Sequence, residues 1–193
     1  MSASSIEVDK SYLELPLMKQ AFIHKSVSSA QNNERLEFLG DAVLEIVVSD
    51  YLFNRFDKLD EGRLTQMRAS LVNTQSLSKI FLQLDCRDLL QTSRGTKKLD
   101  ETHKYSIYAG ALEACIGAIF IELGFEESKS FILYLFQDSF SLLNESIELK
   151  DAKSRLQEAL QALGVQPPNY LVASNKEGNN FNCNVTFDGK TFS

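Results

Sequence analysis

The segment YSIYAGALEACIGAIFIELG, residues 105–124, carries small or apolar side chains nearly all the way round at helical periodicity. That constrains the rest of the chain more than any other stretch. A surface helix shows one apolar stripe, whereas a helix apolar on every side has to be enclosed. The remaining sequence must therefore supply elements to surround it, and 193 residues with 44% hydrophobic content suffice for one ordinary domain plus a small appendage. The one charge inside the segment before Glu122 is Glu113. A carboxylate on such a helix is expected to be paired, protonated or metal-bound, because an isolated buried charge is too costly to leave alone.

A second helix follows from NNERLEFLGDAVLEIVVSDYLF, about residues 33–53. Leu36, Leu39, Val43, Ile46 and Val47 fall on one side, and Glu34, Glu37, Asp41 and Glu45 fall within an arc of roughly 80° on the other. Like charges one turn apart cost about 0.2–0.5 kcal/mol per pair, and no Lys or Arg stands inside that arc. Two readings remain open on spacing alone: a solvated acidic face, or a face relieved by a divalent cation such as Mg²⁺, which takes one or two carboxylates plus waters and phosphate oxygens.

Around these two segments the pattern is helical up to about residue 145. A short helix lies near Ala21, EGRLTQMRASLVNTQSLSKIFLQL gives another helical stretch, and an amphipathic helix is expected over about Ser128 to Glu145. QTSRGTKKLDETHK, residues 91–104, is nearly devoid of apolar residues and is predicted to be an exposed, locally basic loop. After the linker the texture changes. DAKSRLQEALQALG is a short amphipathic helix ended by Gly164, NYLVASNK and FNCNVTF are predicted strands joined by the turn EGNN, and TFS begins a third. The expected organisation is a first domain over 1–147, a linker over 148–151 and a small α+β piece over 152–193.

The net charge of −6 argues against coating nucleic acid through bulk positive charge. Any such contact has to come from local patches. Cys86, Cys115 and Cys183 are far apart and lack His partners at zinc spacing, so free reduced thiols are expected. The first residues, MSASSIEVDK, hold no apolar leader, and no unbroken apolar run approaches the roughly 18 residues of a bilayer span. A cytoplasmic protein with no membrane contact is the expectation.

NERLEFLGDAVLE resembles the signature segment of ribonuclease III. QAFIHKS at 20–26, DEGRLTQMRASLVN at 60–73 and SIYAGALEACIGAIF at 106–120 resemble further blocks of that family in the same order, and DAKSRLQEALQ with YLVASN resembles the start of a double-stranded RNA-binding domain. The resemblance implies an all-α endonuclease domain, a ribonuclease III-like helical bundle, followed by an incomplete α+β RNA-binding domain. It implies a homodimeric, Mg²⁺-dependent endoribonuclease, with Mn²⁺ able to substitute. Such an enzyme cuts double-stranded RNA, as in rRNA and mRNA processing, to 5′-phosphate and 3′-hydroxyl ends with short 3′ overhangs. Carried over by position, Glu37, Asp41 and Glu113 match metal ligands, with Asp41 and Glu113 at the catalytic centre. Glu34 and Glu61 match further acids near it. Glu45 matches no catalytic position and is expected to be solvated. Phe38 matches a dimer contact.

Arg94, Lys97, Lys98 and Lys104 in the basic loop, with Gln157 and Glu158 on the first helix of the second piece, are the candidate RNA contacts. They would meet phosphates and 2′-hydroxyls rather than bases. His24 is expected to make a structural hydrogen bond, and His103 to lie in the loop. Two departures stand out. Gly110 occupies the place where the family has an Asp three residues before its Glu, so a metal carboxylate is missing and either weakened catalysis or an inactive chain is expected; the RNA-binding piece stops at Ser193, so reduced RNA affinity is expected if that is the natural C-terminus. The alternative to a nuclease is a dimeric double-stranded RNA-binding protein that does not cut.

Overall fold

The structure is a computed structural model that describes residues 6–143, 152–174 and 181–192. The chain divides into two compact units, Met1–Ile147 and Glu148–Ser193.

In the first unit the apolar segment is helix α6, Glu101–Leu123 in chain order after α1 (Lys10–Leu13), α2 (Pro16–Ala21), α3 (Glu34–Arg55), α4 (Glu61–Val72) and α5 (Thr74–Gln83). α7 (Phe125–Leu135) and α8 (Gln137–Ser141) follow it. α6 packs against α2, α3, α5 and α7, and every residue from Ala109 to Ile119 except Glu113 is buried. By length and composition α6 is apolar enough to cross a membrane, so the unbroken-run test applied to the sequence was too strict for it. Here those apolar faces are the core of the unit.

The polar ends of the helices are fixed locally. Asp60 accepts from the Arg63 amide at 2.8 Å, and Asp100 accepts from the His103 amide at 2.9 Å. Each carboxylate thereby satisfies an amide that the helix itself leaves unpaired. Gly124, with φ +88°, ends α6. Near the start of α2 the Leu17 amide donates to Glu122 of α6 at 3.0 Å, which ties the two helices together.

Three expectations are corrected. The stretch 61–83 is two helices, broken at Asn73, whose side chain accepts from the Ser76 amide at 2.9 Å and starts α5. The single helix expected from Ser128 is broken at Phe136; residues 144 and 145 lie outside the described residues. The basic loop is shorter than predicted: residues 96–98 form a 3₁₀ turn, and α6 already begins at Glu101, so His103 and Lys104 sit on a helix.

The second unit holds α9 (Ala152–Ala162) and an antiparallel sheet in the order β1 (Asn169–Ser174), β2 (Phe181–Phe187), β3 (Lys190–Phe192). TFS does contribute to a third strand. Phe187 pairs with Lys190 across the two-residue turn Asp188–Gly189, both at positive φ, the backbone that an Asp-Gly hairpin favours. The helix and three strands fit part of a double-stranded RNA-binding domain. The linker at 148–151 and the turn EGNN lie outside the described residues.

Candidate active site

α3 and α6 cross with their backbones in contact. A Cβ placed at Gly40 would overlap the Glu113 carbonyl oxygen, and one at Gly117 would overlap the carbonyl oxygen of Leu36. Only residues without side chains allow so close a crossing. Its consequence is chemical: Glu37 and Asp41 on α3 flank Gly40, and Glu113 on α6 is brought up against them.

These groups line one open cavity of about 600 Å³, together with Glu34, Phe38 and Asn33. Glu34 is ion-paired with Lys25 at 2.9 Å. One turn beyond, Glu45 is not the freely solvated acid expected: Arg68 of α4 pairs with it at 2.8 Å and also donates to Ser49 at 2.9 Å. The acidic face is thus relieved at both ends by protein cations. Among the described residues no Lys or Arg forms an ion pair with Glu37, Asp41 or Glu113.

The electrostatics follow. Burial first, then the charges of Asp41 and Glu37, push the Glu113 carboxyl up to about 8. Burial likewise raises Glu37, with Glu34 and Asp41 adding and Lys25 opposing. Removal of water and like-charge neighbours both disfavour the ionised form. Asn33 is 2% exposed, and its Oδ1, itself buried, has no hydrogen-bond partner among the described residues. Three carboxylates are hard oxygen donors. Among the described residues no three acidic, His or Cys groups stand close enough together to hold a metal ion on their own. A cation bound here would have to keep part of its water, as Mg²⁺ does.

Glu61 stands elsewhere. It begins α4, accepts from Thr65 at 3.0 Å and lines a largely apolar groove with Ile46, Phe53 and Leu64. Phe38 is 82% exposed at the mouth of the acidic cavity. His24 also lines that cavity; its Nδ1 is 2.8 Å from the Ser26 hydroxyl, and burial and Lys25 lower its pKa. His103 is paired with Asp100 at 2.7 Å.

Arg94, Lys97 and Lys98 are exposed between α5 and α6, while Lys104 is paired with Glu101 at 2.8 Å. Lys97 and Lys104 share a second cavity with Arg87 and Thr92. Sequence reasoning missed Arg87, which lies just before the basic loop and carried no motif. Gln157 is exposed on α9, and Glu158 lies on the same helix, its side chain outside the described residues.

The site is a carboxylate cluster set at one backbone-to-backbone helix crossing of an all-α domain. Comparison with known proteins gives the family: residues 14–139 match the one described as Ribonuclease-III-like. The chain is 45% identical over 154 residues to Ribonuclease 3 of Campylobacter jejuni, covering 80% of this chain and 69% of that one. It is 40% identical over 165 residues to Ribonuclease 3 of a Nitratiruptor species, covering 85% and 73%. Among solved structures it is similar to the nuclease domain of ribonuclease III from Campylobacter jejuni, whose structure concerns flexibility in a region involved in dimer formation. That likeness has a TM-score of 0.64 at 43% identity over 69% of this chain and 96% of that one. A Dicer from Pichia stipitis matches with a TM-score of 0.54 at 29% identity over 90% and 81%. The chain belongs to the ribonuclease III family of endoribonucleases.

Proposed function

We propose that this chain hydrolyses double-stranded RNA as a homodimer, using Mg²⁺ or Mn²⁺ held by Glu37, Asp41 and Glu113, and leaves 5′-phosphate and 3′-hydroxyl ends with short 3′ overhangs. The observation that carries the reading is the open cavity at the α3–α6 crossing, which Glu37, Asp41 and Glu113 all line and where, among the described residues, none of the three is ion-paired with a Lys or Arg. When bound, the ion supplies an activated water and neutralises charge on the phosphate. Glu37, Asp41 and Glu113 would hold it, and Glu113 would give up the proton that burial favours in the absence of the ion. Glu34 stays engaged by Lys25 and keeps that cation at the rim, where a phosphate oxygen arrives. No protein nucleophile takes part.

The first unit, 1–147, is the catalytic part in this reading, and 152–193 assists in holding RNA. Arg94, Lys97, Lys98 and Lys104, with Arg87 beside them, meet phosphates, and Gln157 and Glu158 on α9 meet 2′-hydroxyls. Glu61, which lines a separate groove within the chain, is given no part in holding the ion. Phe38, Ile46 and Phe53 are exposed along one side of α3, and the proposed dimer covers them. We place the protein in the cytoplasm, processing rRNA and mRNA precursors.

Cleavage of a labelled RNA duplex tests the reading. With Mg²⁺ the protein should cut, and Asp41→Asn and Glu113→Gln should each reduce the rate by a factor of about 100 or more. Binding of the duplex without any cutting at enzyme excess, in Mg²⁺ and in Mn²⁺, would instead make the chain a non-cleaving RNA-binding protein.

A further inference from the structure

Gly110 lies buried in the middle of α6, where glycine weakens a helix relative to alanine, and its φ is not among the positive ones, so the backbone does not call for it. What the position offers is room. A Cβ built there would lie 2.8 Å from the Glu37 carboxyl carbon and 2.8 and 2.9 Å from its two oxygens. The carboxyl group of Glu37 thus fills the space that a side chain at 110 would take, reaching across from α3. Among the described residues no hydrogen bond is made to that carboxyl, and the open space at Gly110 is where it packs.

We propose that Gly110 is a positioning residue. Its missing side chain seats the Glu37 carboxylate between α3 and α6 beside Glu113, so that α3 supplies the carboxylate that α6 lacks at this point. This rests on the reading that Glu37, Asp41 and Glu113 hold a divalent cation. Any side chain at 110 drives the Glu37 carboxylate out of the seat. The displaced group is the free end of a flexible side chain rather than backbone, so the chain still folds when it moves.

Two measurements on the full chain test this. The first, free of metal, follows the side-chain carboxyl ¹³C resonance of Glu37, assigned by its loss in Glu37→Gln. Gly110→Ala should shift it, and an unchanged resonance overturns the proposal. The second is Mn²⁺ titration followed by electron paramagnetic resonance. Gly110→Ala should weaken binding about tenfold, the lower end of what loss of a supporting group costs a metal site. In the Glu37→Ala background the same change should do nothing further, because nothing remains to be displaced. Equal weakening in both backgrounds, or none in either, overturns the seat. If the unsubstituted chain binds no Mn²⁺ while the Glu37 resonance still moves in Gly110→Ala, the seat stands and the metal reading of the site falls.

Discussion

Gly40→Ala adds one methyl group at the helix crossing, and its cost can be worked from the geometry. The new Cβ overlaps the Glu113 carbonyl oxygen and lies 2.7 Å from that carbonyl carbon and 2.8 Å from the Gly117 nitrogen. All three are backbone atoms of α6, so no rotamer change relieves the contact. Restoring ordinary contact, at roughly 3.5 Å, requires α3 and α6 to part by on the order of 1 Å. Overpacking that side chains can absorb costs about 1–3 kcal/mol; with backbone on one side the upper end applies, and alanine's better helix propensity returns about 1 kcal/mol. A net loss of about 2 kcal/mol lowers the Tm by roughly 4–8 °C for a chain of this size. Calorimetry or a circular dichroism melt checks it. Gly62→Ala is the control: Gly62 is helical and exposed, with Asp60 Oδ1 at 3.6 Å as the nearest atom, and should hold or raise the Tm. A Gly40→Ala protein melting at or above the parent would refute the claim that backbone contact at this point sets the crossing.

Two other tests address charge and association. Glu113 titrates near 8 when folded and near its ordinary value of 4.5 when unfolded. The folded chain therefore holds more protons between those values, and stability of the metal-free protein should fall as pH rises from about 5 to about 8, by on the order of 2–3 kcal/mol after discounting the partial exposure of the site. Thermal melts in chelator should show this slope, Glu113→Gln should flatten it, and Mg²⁺ should restore stability at the alkaline end. Phe38→Asp should shift the protein from dimer to monomer in sedimentation without lowering the Tm at matched monomer state, since the ring is exposed within the single chain; an unchanged sedimentation coefficient would remove Phe38 from the interface.

Helical periodicity made α3 and α6 legible in the sequence because each carries its pattern over more than twenty residues. The breaks at Asn73 and Phe136 were not legible from it, since apolar spacing continues through them and a cap is a local hydrogen bond, not a period. The relief of Glu34 by Lys25 and of Glu45 by Arg68 was equally hidden, as each pair joins groups that are close only after the chain folds. The Asp188–Gly189 turn, by contrast, carried a plain signal that went unused: Asp-Gly between strand-forming runs is the strongest short-range mark of a hairpin.

Gly110 and Gly117 are seven residues apart, two helical turns, so they open on the same face of α6 toward α3. At 117 the opening is filled by a carbonyl of α3, and at 110 by the carboxyl of Glu37. The sequence presents two glycines in one seam and reads the first as a lost acid. What separates them is whether the filling atom can move. A backbone carbonyl cannot, so Gly117, like Gly40, fixes how close the helices come. A carboxyl at the end of a flexible side chain can, so Gly110 governs where a charge sits without governing the fold. Closeness and charge placement are thus set by different glycines along one seam. A substitution at 110 can therefore change the chemistry of the cavity while leaving the crossing intact.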